Sequence, residues 1–198
     1  MRRREVMRMR KDRQMRMIPC DYCTREEDGK KTIEGYFAVF GSDYELWPGA
    51  TESVAPTAFD GALEDDIRCL IDHETRLVLG RNKVGTLTLR ADEHGLWGRV
   101  EINEADSDAM NLYARVHRGD VSQCSFGFDI LDEETEYRED GSVHWTIKRV
   151  KLYEVSVVTF PAYRDTSVQA RREEYEQIKK RQAEAFRLKM MRRLKKDA

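Results

Sequence analysis

The stretch Ser122-Gln-Cys-Ser-Phe-Gly-Phe128 sets one small nucleophilic side chain, Ser125, among bulky apolar neighbours. As an alternating strand it sends Cys124, Phe126, Phe128 and Ile130 to one face. Gln123, Ser125, Gly127 and Asp129 fall on the other, where the glycine leaves room for something to approach. A serine hydroxyl does acyl-transfer chemistry when a base takes its proton, a third group orients that base and donors hold the oxyanion. Taken alone, the stretch equally fits an ordinary half-buried strand with a polar outer face.

Four histidines are available as the base. His94 lies in a turn signal and His117 on a helical pattern, while His144 sits beside Trp145 on a strand; packing accounts for each. His73 differs, because it follows the apolar strand Ile67–Ile71 and stands between Asp72 and Glu74. Strand ends are where sites tend to be built. The alternative for His73 is an exposed loop histidine between two acids. Glu154 is the other unusual residue, a carboxylate inside the otherwise apolar run Leu152–Phe160. Such a group must be paired or hydrogen-bonded. It shares a face with Leu152, Ser156 and Val158 and is expected to point inward; a structural pair with Arg149 or Lys151 is the alternative. Cys20-Asp-Tyr-Cys23 is a CxxC, but a zinc site takes about four ligands, and Cys69 and Cys124 are isolated. The pair is expected to be a surface loop with two thiols, and neither a metal nor a cofactor is expected.

These groups need a scaffold, and 198 residues suffice for one good core. The net charge of −2 hides a segregation: residues 1–17 carry +6, residues 171–198 carry +6, and residues 18–170 carry −14. Basic arms contact acidic partners or stay solvated. These hold few aromatics on which bases could stack, so nucleic acid is not expected as a specific partner. No apolar run approaches a membrane span, and the basic N-terminus lacks the apolar stretch of a secretion signal. The four cysteines show no dense disulfide spacing, which suits a reducing compartment.

Strands are expected at 32–40, 67–71, 84–90, 96–102, 122–130, 143–150 and 152–160. Pro56 is expected to open a short helix to Asp65, and Asp106 or Ser107 to cap a helix that ends at Gly119. The charge run Asp132–Asp140 is expected as a solvated hairpin loop, with Asp140-Gly141 as a turn signal. The fold class is mainly β with helices (α+β): a closed or nearly closed antiparallel β-barrel of about seven strands, surrounded by helices. Three regions follow: a basic arm over 1–30, a barrel domain over 31–167 and a charged C-terminal helix over 168–198.

An ordered series of segments resembles the tailed-phage prohead proteases. It comprises Ile33-Glu-Gly-Tyr-Phe-Ala-Val-Phe40, Glu52-Ser-Val-Ala-Pro-Thr-Ala-Phe59, Asp72-His73-Glu74 with Leu79-Gly-Arg81, Gly95-Leu96, Ser122–Phe128, and Leu152–Tyr163 with Thr166. An ordered series is far more specific than any one of its parts. Thr57 stands where many relatives have glycine, which bears only on a turn. The resemblance implies a fold like that of the herpesvirus assemblins. It implies a serine endopeptidase that works inside the assembling prohead in the bacterial host cytoplasm. Its partners would be the major capsid protein and scaffold segments, with self-cleavage, and a homodimer as in assemblins is an open alternative. By the same resemblance Ser125 is the nucleophile, His73 the general base and Glu154 the orienting third member, at the place where assemblins carry a histidine; Asp72 or Glu74 is the alternative orienter of His73. Backbone at Arg164 would supply an oxyanion donor, and the basic arms would be trimmed during maturation. The rival function is a non-enzymatic capsid scaffolding protein with the same barrel.

Overall fold

The computed structural model describes residues 14–160 except Asp21, Asp28 and Glu139, together with helical positions between 172 and 191. The chain divides into two units, Met1–Ala162 and Tyr163–Ala198. In the first, strands follow one another as β1 (Gln14–Pro19), β2 (Cys23–Glu27), β3 (Lys30–Val39), β4 (Tyr44–Trp47) and β5 (Ala50–Val54). After a 3-10 turn at Ala62–Glu64 come β6 (Arg68–Ile71), β7 (Glu74–Arg81), β8 (Leu87–Ala91) and β9 (Gly95–Glu101). Helix α1 (Ser107–Arg118) then leads into two long strands, β10 (Gln123–Tyr137) and β11 (Val143–Val158).

The expected closed barrel does not form. The strands separate into a seven-stranded sheet, ordered β1-β10-β11-β5-β4 with β6 on β11 and β7 on β6, and a four-stranded sheet, ordered β2-β3-β9-β8. The first is an open half-barrel and the second is flat; among the described strands no pairing joins their ends. The pairing is not wholly antiparallel either. β5 lies parallel to Val143–Ile147 of β11, and β6 lies parallel to Glu154–Val157 of the same strand. Strand spacing in a sequence gives the strands but not their partners, and here one 16-residue strand serves two partners along one edge. The run expected as two strands, 143–150 and 152–160, is this single strand. The acidic run expected as a loop is the outer half of β10, which reaches Tyr137 before the turn at Asp140-Gly141.

One apolar cluster joins the two sheets. Ile33, Phe37, Leu96 and Val100 come from the flat sheet; Phe126, Phe128, Leu152, Val155 and Val157 come from the half-barrel. Helix α1 begins and ends as its sequence requires. Asp106 accepts from the backbone amides of Asp108 and Ala109, and Gly119 takes the left-handed conformation at φ 85°. Its buried stripe is Ala109, Leu112 and Val116. The helix expected from Pro56 shrinks to turns and the single 3-10 turn.

Strand β1 adds to the free edge of β10, pairing antiparallel with Gln123–Phe128. Its anchor is Arg16, whose guanidinium forms a buried ion pair with Glu52 of β5 (Nη2 to Oε2, 2.9 Å) and lies 5.7 Å from the centre of the Phe128 ring. The CxxC is not a two-thiol surface loop: Cys20 is buried against Gly35 and only Cys23 is exposed. In the second unit, Lys179 lies over the Tyr175 ring at 5.0 Å. No helix among the described residues is long and apolar enough to cross a membrane.

Candidate active site

Ser125 and Glu154 are brought to one face by the register of the two longest strands. Ser125 pairs with Ser156, and Gly127 pairs with Glu154. Directly paired residues of neighbouring strands project to the same side. All four therefore share one face, while Phe126 and Val155 between them point into the core. Same-face neighbours along a strand are about 7 Å apart.

A bulge makes this arrangement possible. The partner of Gly127 is Glu154, but the partner of Phe128 is Leu152, so Tyr153 is the extra residue. Leu152 thereby joins Phe128 in the core, and Glu154 turns to the opposite face. The sequence-based expectation that Leu152 and Glu154 share a face fails for this reason. Bulges of this kind re-aim side chains, and they are over-represented beside functional sites. The Tyr153 hydroxyl is tied down by a 2.7 Å hydrogen bond to Asp129.

His73 arrives from the β6–β7 hairpin. Ile71 pairs with Glu74, leaving Asp72 and His73 as a two-residue loop. Both have positive φ, 48° and 62°, as two-residue type I′ hairpins require. Non-glycine residues hold that conformation at a cost, about 1–3 kcal/mol each, when surrounding contacts enforce it. Here the Asp72 carboxylate accepts from the Thr159 amide (2.6 Å) and the Thr159 hydroxyl (3.0 Å), and the Asp72 amide donates to Val157 O (3.0 Å). The hairpin is thus tied to the end of the strand that carries Glu154.

The imidazole meets Glu154 there, with Nδ1 2.8 Å from Oε1 and both side chains 5% exposed. The Ser156 hydroxyl donates to the other oxygen, Oε2, at 2.6 Å. A Cβ added to Gly127 would lie 2.2 Å from Glu154 Oε1, so the bare glycine makes the seat for the carboxylate. Glu154 is therefore partnered by His73 and Ser156; Arg149 and Lys151, the structural alternatives, are exposed. Asp72 is committed to Thr159, and Glu74 lies at the surface beside Arg76.

A carboxylate on Nδ1 fixes the imidazole proton there and leaves Nε2 with a lone pair. Among the described residues, His73 Nε2 and Ser125 Oγ are the buried side-chain polar atoms without a hydrogen-bond partner. Native proteins rarely leave such atoms unpaired, and each exception calls for an explanation. An acceptor nitrogen held by a carboxylate and an uncommitted hydroxyl are what nucleophilic acyl transfer requires.

The remaining histidines have structural roles. His94 packs edge-on against Tyr36, His117 bonds Thr24, and His144 bridges the hydroxyls of Thr51 and Ser53. Burial pushes the Cys69 thiol far up, with the Glu154 charge adding to it, so that thiol is no nucleophile. Among the described residues no cluster of three or more His, Cys, Asp or Glu could hold a metal. Arg164 lies outside the described residues. Ser156 does not stand out in the sequence as part of the site, and Asp72 enters it only as an alternative orienter of His73, a place its bonds to Thr159 take away.

The family model described as caudovirus prohead serine protease matches residues 20–181. The chain belongs to this family. It is similar to the prohead protease of Enterobacteria phage HK97, 30% identical over 151 residues that cover 72% of this chain and 61% of that protein. It is also similar to the prohead protease of Escherichia phage T5, 33% identical over 98 residues covering 50% of this chain and 42% of that one. The chain thus spans 61% and 42% of the length of these two family members. The capsid assembly protease of bacteriophage T4 overlaps 76% of this chain and 99% of its own, with a TM-score of 0.49 and 12% identity.

Proposed function

We propose that this protein is a serine endopeptidase of phage capsid maturation that cuts capsid-protein or scaffold segments inside the prohead, and cuts itself. Membership of the prohead protease family gives the class. The observation that carries the assignment of roles is the buried His73–Glu154 hydrogen bond of 2.8 Å, with Nε2 and Ser125 Oγ both left unpartnered.

In the proposed mechanism Ser125 Oγ attacks the scissile carbonyl while His73 Nε2 takes its proton. The proton returns from His73 to the leaving amine, giving an acyl-enzyme on Ser125. Water, deprotonated by the same nitrogen, then releases the acid and regenerates the serine. Glu154 keeps the imidazole in the productive tautomer and stabilises the imidazolium as it forms. Burial strengthens that interaction, since charges attract more strongly where water is excluded.

The experiment is co-expression of the chain with its capsid protein, read on a gel. Wild type is expected to process the capsid protein and itself. Ser125→Ala and His73→Ala are each expected to lower the rate by on the order of 10⁴ or more. Unchanged processing in both variants would sink the assignment.

A further inference from the structure

We propose that Ser156 is a positioning residue for the His73–Glu154 pair, a role that rests on the protease assignment above. Two serines stand side by side here: Ser125 and Ser156 are cross-strand partners, and both are fully buried. Their hydroxyls are used differently. Ser156 Oγ donates to Glu154 Oε2 at 2.6 Å, whereas Ser125 Oγ has no partner. A hydroxyl whose proton is committed to a carboxylate is not the one an imidazole deprotonates. The geometry separates a nucleophile from a support.

The support is needed because the last torsion of a glutamate is soft and roughly two-fold. His73 holds only one of the two oxygens. With nothing on the other, the carboxylate plane could turn about that contact and carry the imidazole with it. Ser156 fixes Oε2 from its own strand, while the bare Gly127 on the strand opposite leaves the room that Oε1 occupies. The carboxylate is thus held at both oxygens, by the serine hydroxyl and by the imidazole. The Ser156 hydroxyl also satisfies a second acceptor on a residue only 3% exposed, which would otherwise stay unpaired.

The test compares wild type with Ser156→Ala, Ser156→Thr and Ser125→Ala in the full chain, with capsid-segment cleavage kinetics and NMR of 15N-labelled histidine. Ser156→Ala is expected to lower kcat by about tenfold to a hundredfold with KM unchanged. The low-field proton on His73 Nδ1 should move or broaden in the same variant. Ser156→Thr keeps the hydroxyl and suits a strand, and should restore both the signal and most of kcat. If Ser156→Ala melts early, Ser156→Cys, similar in size with a weak donor, carries the comparison and should fall between alanine and threonine. Wild-type kcat and an unmoved Nδ1 proton in Ser156→Ala, with Ser125→Ala inactive, would overturn the role of Ser156 and leave the protease assignment standing. A change confined to KM would overturn it too. If Ser125→Ala keeps processing its substrate, the protease assignment falls, and the NMR comparison alone still decides whether Ser156 holds the pair.

Discussion

Replacing Gly127 by alanine tests the carboxylate seat with one added methyl group. The new Cβ would stand 2.2 Å from Glu154 Oε1, 3.0 Å from its Cδ and 3.2 Å from its Cγ. Ordinary contact begins near 3.4 Å, so Oε1 must withdraw by about 1.2 Å. That shift takes the 2.8 Å bond to His73 out of range unless the hairpin follows, and Asp72 ties the hairpin to Thr159. A displacement of about 1 Å in a positioned group costs on the order of 10² in rate. The fold should tolerate the change, because the clash is with the far end of a flexible side chain and Gly127 is not one of the glycines with positive φ. Alanine also costs less conformational entropy in a strand than glycine does. The expected outcome is therefore a fall of about 10² in kcat/KM with the fold retained and the melting temperature lowered by only a few degrees, as one lost buried hydrogen bond requires. Peptide-cleavage kinetics and thermal unfolding monitored by circular dichroism measure the two separately. A Gly127→Ala variant with wild-type kcat/KM would refute the placement of Glu154 against this glycine.

Other perturbations separate the parts of the account. Glu154→Gln should reduce kcat by up to about 10⁴ in the same kinetic assay, since an amide neither enforces the imidazole tautomer nor stabilises imidazolium. Asp72→Ala should lower kcat and melt earlier, whereas Asp72→Asn, which can still accept from the Thr159 amide, should keep most of both. Arg16→Ala should destabilise the protein by about 1–3 kcal/mol in urea unfolding, because it removes a buried guanidinium that donates two hydrogen bonds to the buried Glu52. Hydrogen bonds from Arg81 hold the Asp66 carboxyl below its ordinary value. The stabilisation this gives is present above the unfolded-state value and is lost as pH falls through the lower folded one; Arg81→Met should raise the Asp66 midpoint in an NMR titration.

What the sequence made legible followed from local chemistry. The strand of Ser125, the cap of α1 at Asp106 and the turn at Asp140-Gly141 each rest on a few adjacent residues, and each formed as expected. His73 and Glu154 were singled out because each is odd where it stands, one at a strand end and one in an apolar run; the structure joins them. Pairing was not legible. Alternation gives the faces of a strand but not its neighbour, so it does not distinguish a closed antiparallel barrel from the two sheets that form, the larger with β5 and β6 parallel to β11. The Tyr153 bulge hid for the same reason, since an extra residue in one strand shows only against its partner. Ser156 and Gly127 look like ordinary small residues until the register sets both beside one carboxylate. The burial of Cys20 is not legible locally because it depends on Gly35, a residue of β3.

The central claim is that Ser125 is the nucleophile activated by His73. It is tested most directly by treating the full chain with a fluorophosphonate, which traps an activated serine, and mapping the adduct by peptide mass spectrometry. A single adduct on Ser125 that disappears in His73→Ala is the predicted result. An adduct on Ser156, or a Ser125 adduct that forms as fast without His73, would contradict it.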